Sequence, residues 1–338
     1  MSESGLPFAD PEIATLAEVL DPTALAKHLQ VVSPHAGNGG GADEVHVRVL
    51  QHHARRRCTL EIGLRTSEKS WHFVIGKVYH IDRADIFQAM EGMRQAGFGP
   101  QDEFSIPQPL AYLPSLHLLL QEKVEGNPTD EILKAGDQKK SAAATERCAQ
   151  WLARFHARAP RTGPVSYPSD YLNSKSIRRC SRKIAKRGGS SAGKAAVLLQ
   201  RLEEVAASLK PGELCAGHGS YSATHVILSR KRTIVFDWDG YDVADPARDV
   251  ARFMAALRRL ALGRLGSIRA LDGIAEVFLK TYLAVGQPLA EKNLRFFEAA
   301  ACLKLAKYNL CHPVPHWHDK TEAMLDEGLR ILDCEAAG

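Results

Sequence analysis

The chain reads as an α+β protein of two lobes, the first built on a small antiparallel sheet and the second large and mainly helical. Three observations predict this plan. Alternating apolar residues crowd into the first part of the chain, helical spacing dominates from about residue 128 onward, and a single β-rich island at 224–239 interrupts the helical part. A length of 338 residues accommodates two packed lobes. We place them at 1–124, with a helical N-terminal extension, and 125–338.

The elements follow in order. Ile13, Leu16, Val19, Leu20, Leu25 and Leu29 recur at helical spacing and predict one or two short helices, broken near Asp21-Pro22. Residues 33–44 are Gly-rich and polar, a connection rather than an element. Val45, Val47 and Val49 alternate with His46 and Arg48, and Cys58, Leu60, Ile62 and Leu64 alternate with Thr59, Glu61 and Gly63. These are two strands, and a third covers about 71–80. Asp82 is placed to cap a following helix with Asp85 three positions on; Ile86, Phe87, Met90 and Met93 give that helix its apolar face. Gly97 stands where a left-handed C-terminal residue belongs. Two further strands surround Pro114-Ser115.

Composition excludes several classes. An apolar fraction of 45% and a charged fraction of 25% are ordinary globular values. The net charge of +5 is too small to imply nucleic acid by itself. The N-terminus lacks the basic and apolar regions of a secretory signal, and no apolar run is long enough to cross a bilayer. Seven cysteines without C-x-x-C spacing fit reduced thiols. The expectation is a cytoplasmic protein.

Chemistry concentrates in residues 216–253. His218-Gly219-Ser220 opens a tight polar turn before the strand Val226 to Leu228. A second strand, Thr233 to Phe236, ends in Asp237 and Asp239 on either side of Trp238. Carboxylates at the end of a buried strand are costly unless a cation or hydrogen-bond donors compensate them, and a metal is one natural compensator.

The layout HGSYSATH, then VFDWDG, then ADPARD resembles that of the aminoglycoside phosphotransferase and choline kinase family, whose fold is protein-kinase-like. Upstream, KVY at 77–79 before a helix and LLLQEKVEG at 118–126 resemble that family's strand lysine and inter-lobe hinge; the likeness spans roughly 45–335. It implies ATP and Mg²⁺ held between the lobes. Lys77 would pair with the α- and β-phosphates, held by an acid of the next helix, Glu91 first and Asp85 second. Asp237 would coordinate Mg²⁺, and backbone groups near Glu122 and Val124 would receive the adenine. Asp245 would cap a helix starting near Pro246, and Asp249 would brace the catalytic loop through His218. Arg55, Arg56 or Arg57 would either reach phosphates or sit on a solvated turn.

Two positions depart from the family pattern. Ser220 replaces the Asp expected to accept the substrate proton, and His225 replaces an Asn expected at a second metal, where an imidazole still coordinates. Serine is a poor base near neutral pH, and loss of general-base help costs about 10²–10⁴ in rate. Asp239 is the acid placed to take over that role.

Two functions therefore stand open: an ATP- and Mg²⁺-dependent phosphotransferase acting on a hydroxyl of a small molecule, or a nucleotide-binding pseudokinase with a scaffold or regulatory role. Nucleotidyl transfer is a third and minor reading. A serine-hydrolase elbow would need Gly at 222, which is Ser222. His312, His316 and His318 are separated by Pro313 and Pro315 and read as a surface loop rather than a metal site. From Lys175 to Lys194 the chain carries Arg178, Arg179, Arg182, Lys183, Lys186 and Arg187 without an acid. That segment is either a solvated helix face or an attractor of an anionic substrate, and it argues against a polycationic aminoglycoside. No aromatic residues are interleaved with it, which speaks against nucleic acid.

Overall fold

A computed structural model describes residues 10–32, 44–65, 70–173, 177–209, 212–286, 288–311 and 316–333. The Gly-rich connection, Lys175, and His312 with its two prolines fall outside these residues. The chain divides into two compact units, residues 1–101 with 105–125, and residues 102–104 with 126–338.

The first unit opens with α1 (Leu16–Leu20) and α2 (Pro22–Val32). Asp21 separates them because its carboxylate accepts the backbone N–H of Thr23 at 2.8 Å, starting the second helix afresh. Then come β1 (Glu44–His53), β2 (Arg57–Arg65), β3 (Trp71–Tyr79), α3 (Ala84–Gln95), β5 (Pro109–Leu113) and β6 (Leu118–Glu122), while β4 (Phe104–Ser105) begins in the segment 102–104 that belongs to the second unit. Five of the strands form one sheet in the order β1-β2-β3-β6-β5, antiparallel throughout. Ile13, Leu16, Val19, Leu25 and Leu29 bury against Val45, Cys58, Leu60, Ile62 and Val78, so the N-terminal helices are part of this core. Burying each such side chain stabilises the unit by about 1.5–3 kcal/mol.

Two details of the sequence reading change. α3 begins at Ala84, and Asp82 stands one residue before its N-cap, accepting the Ala84 N–H at 2.9 Å and the Tyr112 hydroxyl at 2.5 Å. Asp85 does not close a capping box, because Arg83 engages its carboxylate at 2.9 Å. At the other end Gly97 is left-handed (φ 93°), and Phe98 N–H reaches Met93 O while Gly97 N–H reaches Arg94 O. That is a Schellman stop, which needs a residue without a Cβ at this position.

The second unit contains β7 (Asn127–Pro128), α4 (Thr129–Lys134), α5 (Gln138–Arg158), β8 (Val165–Ser166), α6 (Pro168–Asn173), α7 (Ile177–Ala185), α8 (Ser190–Ala206) and β9 (Cys215–Gly217). It continues with β10 (Val226–Leu228), β11 (Thr233–Val235), β12 (Asp242–Ala244), α9 (Pro246–Arg264), α10 (Asp272–Val285), α11 (Glu291–Cys311) and α12 (Trp317–Asp333). The β-rich island is thus larger than its periodicity suggests. Its hairpin lies in a sheet ordered β4-β11-β10-β7, and a second small sheet is ordered β8-β12-β9. Helices α8, α9, α11 and α12 share one core with the apolar side of α7.

α7 is sharply two-faced. Ile177, Cys180 and Ile184 are buried, while Arg178, Arg179, Arg182 and Lys183 face outward. Acids partly neutralise the basic segment, since Arg178 pairs with Glu203 at 2.7 Å and Lys194 with Asp326 at 2.8 Å. His316 and His318 are exposed. No described helix is long and apolar enough to cross a membrane.

Candidate active site

The loop after β9 is held from below. α9 starts at Pro246 with Asp245 as its cap, whose carboxylate accepts the Ala247 N–H at 2.8 Å. That start puts Asp249 in the first turn, buried, with one carboxylate oxygen on the His218 N–H (2.6 Å) and the other on the Gly219 N–H (2.9 Å). The brace acts through the main chain of His218 and of Gly219 beside it. His156 of α5 lies 3.6 Å from the same carboxylate and is itself oriented by the Tyr282 hydroxyl of α10 at 2.8 Å. Burial pushes the Asp249 carboxyl up, but the His156 imidazole and the Arg248 guanidinium outweigh it and hold the group well below the usual range. Gly219 is left-handed (φ 77°), and a Cβ there would overlap the Gly240 carbonyl oxygen.

A buried aromatic block supports the loop. Trp151 stacks on Tyr221 at 5.9 Å, and His218 meets Trp238 at 4.7 Å. The Tyr221 hydroxyl donates to the Cys148 carbonyl at 2.8 Å. His218 itself is fully buried.

The two histidines have fixed tautomers when neutral, because a carbonyl oxygen only accepts. His218 Nε2 faces the Phe236 carbonyl at 3.0 Å and carries the proton, leaving Nδ1 to accept from the Ser220 hydroxyl at 3.3 Å and the Ser220 N–H at 3.4 Å. His225 Nδ1 faces the Ser220 carbonyl at 3.0 Å and carries the proton there, which leaves a lone pair on Nε2. That nitrogen lies 3.6 Å from Asp237 Oδ2. Asp237, two residues past the end of β11, lies in the left-handed region (φ 70°, ψ 64°), an arrangement that costs an L-residue about 1–2 kcal/mol. Both Asp237 and Asp239, the latter in the 3-10 turn Trp238–Gly240, are half-buried.

These residues fit a hard divalent cation that is completed by a ligand. Mg²⁺ is ordinarily held by one or two carboxylates together with substrate phosphates and water. Among the described residues no group of three or more His, Cys, Asp or Glu side chains forms a closed metal cage. Asp237 supplies the carboxylate, whereas the His225 imidazole is a softer donor than Mg²⁺ prefers.

In the first unit, Lys77 is buried on β3, opposite Thr59 and Leu119. Glu91 faces Arg94 at 2.8 Å, an i,i+3 pair on α3. The Glu122 N–H donates to the Gln108 carbonyl at 2.8 Å. Val124 lies past the end of β6 and makes no backbone hydrogen bond among the described residues. Arg55 sits in the turn between β1 and β2 (φ 64°) with its N–H on the Asp10 carboxylate at 2.7 Å, and Arg55 and Arg56 are exposed. The sequence reading missed His156 and Tyr282, which lie on helices far from the loop in sequence.

The sequence model of the phosphotransferase enzyme family (APH) matches residues 77–291. The chain belongs to this family. No curated protein matches its sequence. Solved structures with the same fold include a choline/ethanolamine kinase family protein from Mesorhizobium loti at 13% identity and TM-score 0.56, covering 96% of this chain and 95% of that one. A glucosamine kinase in complex with glucosamine, ADP and inorganic phosphate matches at 15% identity and TM-score 0.62, covering 92% and 87%. An aminoglycoside phosphotransferase, APH(4)-Ia, in ternary complex with AMP-PNP and hygromycin B matches at 12% identity and TM-score 0.59, covering 94% and 100%. The protein is thus a member of a phosphotransferase enzyme family with a protein-kinase-like fold.

The brace on this phosphotransferase's loop has a pH signature. A carboxyl whose folded pKa is depressed contributes stability above its unfolded pKa, about 3.9, and loses it as pH falls through the folded value. Asp249→Asn is expected to lower stability at pH 7 by roughly 3–5 kcal/mol, because it breaks a buried charged network. It should also flatten the dependence below about pH 4, read from urea midpoints across pH.

Proposed function

We propose that the protein transfers the γ-phosphoryl group of ATP, with Mg²⁺, to a hydroxyl of a small molecule that is not a polycationic aminoglycoside. The observation that carries this reading is Asp237, held left-handed just past a strand end with its carboxylate beside the lone pair of His225, next to the loop that Asp249 braces. Strain of this kind persists where the surrounding structure fixes a functional conformation.

Mg²⁺ bound by Asp237 would neutralise charge developing on the β- and γ-phosphates. Lys77 would pair with the α- and β-phosphates, with Glu91 released from Arg94 to hold it. Val124 would offer backbone groups to the adenine beside Glu122. Ser220 would orient the acceptor hydroxyl, since its own proton is directed at His218 Nδ1. Asp239 would receive the acceptor's proton. Asp239→Asn is then expected to lower turnover about 10²-fold or more with nucleotide affinity intact. Unchanged turnover would remove Asp239 from the mechanism.

Ser220 favours the second reading, a nucleotide-binding pseudokinase with a scaffold or regulatory role. Calorimetric titration with Mg·ATP, followed by ATP turnover on the same samples, separates the two. Binding with turnover supports the transferase, and binding without turnover supports the pseudokinase. Absence of Mg·ATP binding overturns both.

A further inference from the structure

Helices α9 and α11 carry cations that the catalytic loop does not use. Arg248 and Arg252 lie one turn apart on α9. Arg248 has a counter-ion, since its guanidinium forms a bidentate pair with Asp242. Arg252 has no hydrogen-bond or ion-pair partner among the described residues. Its Nε and Nη1 are shut off from solvent and make no hydrogen bond. Lys304 of α11 places its ammonium over the Tyr171 ring of α6 at 5.8 Å and has no ion pair among the described residues. Further along, Arg259 and Lys307 share the ring of Tyr308 at 5.2 and 5.7 Å.

The charges act on one another. Burial, then Arg252 and Arg248, push Lys304 down to about 8. Burial lowers Arg252 as well, against the opposing pull of the Tyr171 hydroxyl and Asp249. Asp249 already accepts two backbone N–H groups of the catalytic loop. Arg252, two of whose nitrogens are buried without a hydrogen bond, and Lys304, which has no ion pair among the described residues, lack a committed counter-charge, so a ligand anion is the natural complement. Arg252 and Lys304 keep partial exposure, which gives such a ligand access. The cluster also lies close to the catalytic loop. Arg248 is the neighbour of Asp249, its partner Asp242 pairs with Gly217 at the start of the loop, and Arg252 is one helical turn, about 5–6 Å, further on.

We infer that Arg252 and Lys304 form a subsite for an oxyanion, a phosphate, sulfate or carboxylate group, carried by the molecule this protein phosphorylates. Assignment of the anion to the acceptor rests on the phosphotransferase reading; anion binding itself does not.

The test titrates the full-length protein with inorganic phosphate, sulfate and acetate at matched ionic strength, by calorimetry and melting temperature, with Mg·ATP titrated on the same samples. Phosphate or sulfate is expected to bind the parent and raise its melting temperature, as any ligand selective for the folded state does. Arg252→Met and Lys304→Met should each weaken that binding at least tenfold, Arg252→Lys should retain part of it, and Lys280→Gln on the exposed face of α10 should leave it unchanged. Without anion, Arg252→Met should melt at or above the parent, because it removes an uncompensated charge. A merely structural arginine would give the opposite. A preference for phosphate or sulfate over acetate assigns a phosphorylated or sulfated acceptor, and the reverse assigns a carboxylic acid. No binding of any of the three by the parent, or binding indifferent to both Met variants, overturns the subsite. Loss of Mg·ATP binding with anion binding kept would remove the phosphotransferase reading and leave the subsite standing.

Discussion

Asp237→Ala is expected to abolish Mg·ATP binding and to lower any turnover about 10³-fold or more. A bound metal supplies several kcal/mol of charge stabilisation at a transferring phosphoryl group, and each 1.36 kcal/mol is a factor of ten. His225 Nε2 lies 3.6 Å from the Asp237 carboxylate, and an imidazole alone holds Mg²⁺ poorly. Fold and function should separate cleanly in a companion variant. Asp237→Gly removes the same carboxylate but relieves the left-handed backbone, so it should be equally inactive and about 1 kcal/mol more stable. Calorimetry reads the first property and thermal unfolding the second. If Asp237→Ala binds Mg·ATP like the parent, the metal is held elsewhere and the proposed site is wrong.

The order of elements was legible because each signal is local. Val45, Val47 and Val49 alternate for themselves, and Gly97 stops α3 through bonds to residues within one turn. The loop His218-Gly219-Ser220 and the acids after it were legible for the same reason, being contiguous. What the sequence hid is tertiary or very short. Strands β8, β9 and β12 run for two or three residues, too few to show a period, and exist because neighbouring segments pair with them. His156 and Tyr282, which steady Asp249, come from helices 126 residues apart.

The cation cluster was half visible. Arg248 and Arg252 at i,i+4 mark one face of α9, but nothing in the sequence says that Lys304 of α11, over the Tyr171 ring, feels the charge of both. Glu91 is the converse case. Its local partner, Arg94, is an i,i+3 neighbour that any reading of α3 contains, and the structure makes that pair.

Ser220→Asp is expected to raise turnover about 10²-fold or more, the range over which a positioned base acts in proton transfer. The loop's frame does not depend on the serine side chain. Asp249 holds the main chain of His218 and Gly219, His225 holds the Ser220 carbonyl, and the Tyr221 hydroxyl is anchored on Cys148. The substitution gives up one long hydrogen bond, the 3.3 Å contact of the hydroxyl with His218 Nδ1. The introduced carboxylate would meet that same nitrogen and favour its protonated form, so the gain should grow with pH as the imidazole returns to neutrality and the carboxylate is freed to act as a base. Turnover appearing only in this variant would make the parent a nucleotide-binding protein one substitution from catalysis. Equal turnover in both would mean that the parent already has its base, and Asp239→Asn in the Ser220→Asp background would then show which acid it is. No turnover in either, with Mg·ATP bound, would place the protein's role in binding rather than transfer.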